Sequence, residues 1–210
     1  MTKIVVSPHL DDEVLGCGGI LGERFLVYYC GINESKLPED PEHRIPTTER
    51  REEMISISKF LGFDYEINEE SLVNHYDIQD FIGRLEAIFN EYEPDTVFVP
   101  YPSYNQDHKT IYEAALIALR PHDRNFFVPQ VVIYEQPHVF LWDDSGFQPN
   151  YFIEIDIERK LKAYGMYRSQ VRSFRSPDTI RDMARLRGKM GGFDHAEGFE
   201  VLRLCEKRGP

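Results

Sequence analysis

Six short runs of β-branched and aromatic residues, KIVV (3–6), RFLVYYC (24–30), FDYEI (63–67), DTVFVP (95–100), VVIY (131–134) and YFIEI (151–155), alternate with longer stretches of helical periodicity at 47–61, 76–92 and 107–120. In the second helical stretch Ile78, Phe81, Ile82, Leu85, Ile88 and Phe89 recur at spacings of three and four, which is one buried helix face. Strand and helix in alternation imply βαβ units, and those build a mostly parallel sheet with helices on both faces. The predicted class is therefore a Rossmann-like α/β fold, as one domain over residues 1–210. Such sheets bind ligands beyond the carboxyl ends of their strands, so residues just after each strand are the first place to look for chemistry.

Composition removes several function classes. A formal net charge of −12 argues against a nucleic-acid binder, which normally presents excess Lys and Arg. The charge is uneven, with ten Lys and Arg against only Asp178 and Asp182 between Arg159 and Lys189, or +8 in that segment. That segment reads either as a solvated or internally paired helical face or as a surface receiving an anionic group. Cys17, Cys30 and Cys205 are widely spaced and include no CxxC pair, which suits a reducing cytoplasm and suggests neither a disulfide framework nor a cysteine zinc knuckle. No signal-peptide pattern opens the chain, and no apolar run approaches the roughly 20 residues that span a bilayer. No membrane partner is expected, and a homo-oligomer is left open. The polar stretch from Asn33 to Pro46 reads as a long loop able to border a pocket.

Two clusters follow strands. SPHLDDEVLGCGG (7–19) places His9, Asp11, Asp12 and Glu13 where the first strand ends, and NQDHKTIYEAAL (105–116) places Asp107 and His108 at the opening of an amphipathic helix. Helix starts favour Asp and Glu for capping and dipole reasons, which accounts for Asp11 or Asp12 singly but not for His9. One imidazole from each cluster plus one carboxylate makes a three-ligand site with open positions, as a catalytic Zn²⁺ requires; structural zinc sites close all four.

SPHLDDEVLGCGG followed about a hundred residues later by NQDH resembles the LmbE-like, or PIG-L, family of zinc-dependent de-N-acetylases. The likeness extends to ERREEM (49–54), YRSQ (167–170) and HAEGFE (195–200), in the family's order. The resemblance implies that His9, Asp12 and His108 ligate the metal, that Asp11 is the general base, and that Arg50 contacts substrate. It further implies a small amino-sugar substrate of the N-acetylglucosamine type on an unknown aglycone, and the basic segment adds an expectation that this aglycone is anionic.

The chain departs from the family pattern in two places. Leu10 stands where proline is usual, and Asn105 stands where many members carry a histidine. Asn donates a hydrogen bond but cannot shuttle a proton, so Asn105 is assigned to substrate contact and His195 is the candidate for the missing catalytic donor. His43, His75, His122 and His138 lack a paired acid at ligand spacing and read as structural. The glycines of GCGG come after the acids, well inside the predicted helix. They do not match a dinucleotide motif and read as permitting close packing of helix on sheet. The alternatives to a deacetylase are a non-catalytic metal-binding or regulatory module of the same fold and a metal-dependent hydrolase of a different bond.

Overall fold

A computed structural model describes residues 2–34, 46–142 and 146–206. Strands run at Lys3–Ser7 (β1), Phe25–Tyr29 (β2), Asn33–Glu34 (β3), Asp64–Ile67 (β4), Leu72–Val73 (β5), Thr96–Pro100 (β6), Gln130–Tyr134 (β7), Tyr151–Glu154 (β8) and Ala196–Leu204 (β9). Helices run at Asp12–Cys17 (α1), Thr47–Leu61 (α2), Ile78–Tyr92 (α3), Gln106–Ala118 (α4), Pro137–Trp142 (α5), Ile157–Met166 (α6) and Pro177–Gly191 (α7), with a 3-10 turn at Ser173–Arg175. Every strand and helix read from the sequence is present within about two residues. Of the loop expected between Asn33 and Pro46, residues 33–34 form β3 and pair with β5. Residues 35–45, with His43, lie outside the described residues.

Seven strands make one sheet in the order β4-β2-β1-β6-β7-β9-β8. The first five are parallel neighbours, whereas β9 runs antiparallel to β7 and to β8. The sheet is mostly parallel, as expected, and β9 is its addition. HAEGFEVLRL carries glutamates and a glycine that hide a strand pattern.

Both faces are covered, so the central strands are apolar on both sides. One core joins Val5, Val27, Phe98 and Val132 to Leu15, Met54, Ile57, Leu161 and Ile180 of α1, α2, α6 and α7. The other joins Ile4, Val6, Leu26, Val97 and Val99 to Phe81, Leu85, Ile111 and Ala115 of α3 and α4. Gly16 of α1 lies so near Tyr134 of β7 that a Cβ would sit 2.0 Å from the ring. The glycine is what lets α1 approach the sheet.

Candidate active site

The order β2-β1-β6-β7 reverses the direction of chain travel between β1 and β6, making a topological switch point whose crevice opens at the strands' carboxyl ends. His9 lies two residues beyond β1, and His108 lies in the first turn of the helix that follows β6. Two loops 99 residues apart in sequence therefore meet at one crevice.

The turn into α1 is strained and heavily tied. Asp11 adopts φ 103°, a left-handed conformation that costs a non-glycine residue about 1–3 kcal/mol. Its N–H donates to Glu13 Oε2 at 3.1 Å, and the Tyr167 hydroxyl donates to Glu13 Oε1 at 2.7 Å. Ser7 Oγ and Tyr76 OH donate to the carbonyls of His9 and Pro8, both at 2.7 Å. Glu13 is thus a brace for the turn, and burial pushes its carboxyl up to about 7.

Three side chains close into a triangle. His9 Nδ1 lies 3.3 Å from Asp12 Oδ2, His108 Nε2 lies 3.1 Å from the same oxygen, and the two ring nitrogens are 3.2 Å apart. Tetrahedral coordination with bonds of about 2.0–2.1 Å sets neighbouring ligand atoms roughly 3.3–3.4 Å apart, so this triangle matches one face of such a site and can hold a divalent metal. The other nitrogen of His9, Nε2, is 2.8 Å from Asp107 Oδ2, the carboxylate support typical of a metal-ligating imidazole. Asp107 is itself fixed by the Asn74 N–H at 2.7 Å.

The electrostatics call for a cation. Burial alone would lower His9, but hydrogen bonds to Asp107 and Asp12 outweigh it and lift the imidazole to about 10. Burial would raise Asp12, yet His108 and His9 hold it well below the ordinary carboxylate range. Asp11, outside the triangle, is pushed up by burial and pulled back by Arg175, whose Nη1 lies 2.8 Å from Asp11 Oδ2. In the metal-free triangle the proton held on His9 takes the place of the positive charge that a metal ion would supply.

A profile of the PIG-L family, described as GlcNAc-PI de-N-acetylase, matches residues 4–119, more than half the chain. The chain belongs to the PIG-L family. Membership makes it an amidohydrolase by class. No curated protein matches the sequence. Among solved structures it is similar to N,N'-diacetylchitobiose deacetylase from Pyrococcus horikoshii (19% identity, TM-score 0.67, 96% of this chain and 84% of that one). It is also similar to a deacetylase of the teicoplanin biosynthetic pathway (22%, 0.74, 99% and 100%) and to GalB, the 4-carboxy-2-hydroxymuconate hydratase of Pseudomonas putida KT2440 (20%, 0.74, 100% and 100%). At these identities the likeness is one of fold.

The ERREEM, NQDH and YRSQ segments converge on the triangle's surroundings. A polar cleft of about 230 Å³ is lined by His9, Asp11, Arg50, Asn105, Gln170 and Arg175, among others. Arg50 is buried in the first turn of α2, with Nη2 3.4 Å from the Ile32 carbonyl. ERREEM and YRSQ join where Glu53 accepts from the Ser169 N–H and hydroxyl, which sets Gln170 at the cleft. Asn105 caps α4, its Oδ1 accepting from the Asp107 N–H at 2.8 Å.

The structure does not bring His195 to this cleft. Its carbonyl accepts from the Ile155 N–H. Two residues on, Glu197 bonds the Gly19 N–H beyond the C-terminal end of α1, whereas the triangle lies at that helix's N-terminal end. His138 is the histidine beside the metal group, its ring edge-on to His108 with centroids 5.2 Å apart. Burial lowers it to about 4, and its Nε2 has no partner among the described residues. It follows β7 by four positions, so the strand-end rule that selected His9 and His108 also pointed to His138.

Most of the basic segment is engaged internally. Lys160 pairs with Glu197 and Arg187 with Glu135, both buried. Arg159 donates to the carbonyls of Leu21 and Leu61, and Arg181 and Lys189 pair with Glu158 and Asp194. Arg175 is the member of that segment that lines the cleft, and it is committed to Asp11.

Proposed function

We propose that this chain is a zinc-dependent de-N-acetylase acting on an N-acetylglucosamine-type sugar, with His9, Asp12 and His108 holding the metal and Asp11 as general base. The observation that carries the reading is the 3.1–3.3 Å triangle of ligand atoms sharing a cleft with a buried carboxylate that ligates nothing in it. When bound, the ion acidifies a water molecule and polarises the acetyl carbonyl. Asp11 takes the attacking water's proton. Arg175 fixes one of its oxygens, which orients the carboxylate for this role and offsets part of the burial that raises it. The protonated Asp11 then returns that proton to the departing amine. Asn105 donates through its NH₂, and His138, neutral beside His108, is placed to donate to the developing oxyanion. Arg50, Asn74 and Gln170 supply the polar wall for sugar hydroxyls.

The test is primary-amine release by the zinc-loaded protein from a panel of N-acetylglucosaminides, with Asp11→Asn as the control. Amine release lost in that variant supports the reading. A protein that binds zinc yet releases no amine from any member of the panel would leave a non-catalytic module or the hydrolysis of another bond in its place.

A further inference from the structure

Beside the polar cleft lies a second cavity of about 500 Å³ with walls of opposite character, formed by His138, Leu141, Trp142, Phe174 and Arg175. Trp142 and Phe174 are 78% and 79% exposed, and Leu141 is half exposed. Large aromatic side chains left in water around a concavity mark a binding surface.

Two short elements tie this cavity to the catalytic group. In α5, His138 rests on His108 while Trp142, four residues on and hence on the same helix face, lines the cavity. In the 3-10 turn, Arg175 reaches Asp11 while its neighbour Phe174 lines the cavity. Each element places one residue on the proposed chemistry and another on the apolar wall. The polar cleft, at about 230 Å³, is smaller than the roughly 300–1,000 Å³ that encloses a drug-sized ligand, so it takes one sugar ring with its amide. Whatever the sugar is attached to must extend beyond the cleft, and the neighbouring wall there is hydrocarbon, with its one guanidinium already paired.

Resting on the deacetylase reading, we infer that the substrate is amphipathic, with an alkyl or aryl aglycone seated between Trp142 and Phe174. The basic segment gives such an aglycone no need of charge, since its cations are largely paired within the fold. Burial of two methylenes on binding is worth about an order of magnitude in affinity.

Trp142 is the chain's single tryptophan, so its emission reports this cavity directly. Octyl N-acetylglucosaminide below its micellar concentration should shift that emission to shorter wavelength with saturation, and the methyl glycoside should not. The octyl glycoside should show a KM at least about tenfold below the methyl glycoside, and Phe174→Ala should erase the difference while leaving methyl-glycoside turnover unchanged. Equal KM values with static emission would overturn the inference. So would a shift produced instead by methyl N-octanoylglucosaminide, which would make the cavity an acyl site. Free-protein emission that is already blue and reddens on dilution would assign the face to a second copy of the chain and overturn it as well. A saturable octyl-glycoside shift with no turnover of either glycoside would keep the apolar occupant and sink the deacetylase reading.

Discussion

Arg175 Nη1 meets Asp11 Oδ2 at 2.8 Å across 164 residues of sequence. The pair joins the 3-10 turn before α7 to the strained turn before α1, and it sets the working range of the proposed base. Burial raises Asp11 and Arg175 lowers it, so replacing Arg175 with Gln raises the carboxyl further. A general base must be ionised, and the acidic limb of kcat/KM should therefore move to higher pH in Arg175→Gln. A pH–rate profile overlying the wild-type curve would remove Arg175 from this role.

Asp11 and Asp12 are neighbours with separable duties. Asp11→Asn should retain one metal per chain while turnover drops by roughly 10²-fold or more, the usual scale for a general base. Asp12→Asn and His108→Ala should lose metal outright, because each removes a corner of the ligand triangle. Elemental analysis of the three variants beside their activities decides the assignment, and metal loss in Asp11→Asn would make that residue a ligand.

Metal uptake should displace a proton. His9 holds one up to about pH 10 in the metal-free protein, and a ligating imidazole must be neutral. Below that pH the affinity should fall about tenfold for each unit of acidification per displaced proton. Titration calorimetry at pH 8 in buffers of different ionisation enthalpy should find about one proton released per metal bound from this residue. Asp107→Asn withdraws the carboxylate that lifts His9 and should flatten the pH dependence. An unchanged slope would contradict the link.

His195→Ala should change kcat and KM by less than about twofold, because the residue sits at the opposite end of α1 from the triangle. His138→Ala should lower kcat with metal content intact, on the scale of roughly 10²-fold seen when an oxyanion donor is removed. Steady-state kinetics of the two variants side by side measures both, and the reverse pattern would restore His195 as the missing donor.

Lys160 and Glu197 form a buried ion pair at 2.6 Å, and Lys160 Nζ also donates to the Leu15 carbonyl. Lys160→Met strands a carboxylate in the core and should lower the unfolding free energy by about 3–5 kcal/mol. The double variant with Glu197→Leu should recover much of that loss, since a buried pair often gains little over hydrocarbon of similar volume. Urea denaturation of the single and double variants checks both expectations.

What the sequence disclosed followed from local rules. His9, Asp12 and His108 were legible because each stands just past a strand in a chain whose alternation already implied a parallel sheet with one ligand rim. Gly16 was legible for a similar reason, as a glycine inside a helix that must lie against that sheet. Arg175 was not, because nothing local to residues 172–176 says that the turn reaches back to Asp11. The expectation for His195 assumed that the last motif reaches the same crevice. Antiparallel pairing does bring the start of β9 beside the end of β7, but β9 stands three strands from β1 in the sheet, and that lateral separation is invisible in a short stretch of glutamate and glycine. Counting charges between Arg159 and Lys189 left two readings open, an internally paired face or an anion-receiving surface, and the pairing of Lys160 and Arg187 within the fold favours the first; the count could not decide because the partners Glu135 and Glu197 lie outside the window counted.

The φ of 103° at Asp11 sets the interests of folding and chemistry against each other at one residue. Glycine there relieves the left-handed strain and removes a buried carboxylate, so Asp11→Gly should melt at a higher temperature than the natural chain while doing nothing to substrate. A screen of variants for heat tolerance alone would therefore select against activity at this position. An aspartate at this position serves the proposed chemistry at the expense of the fold's durability.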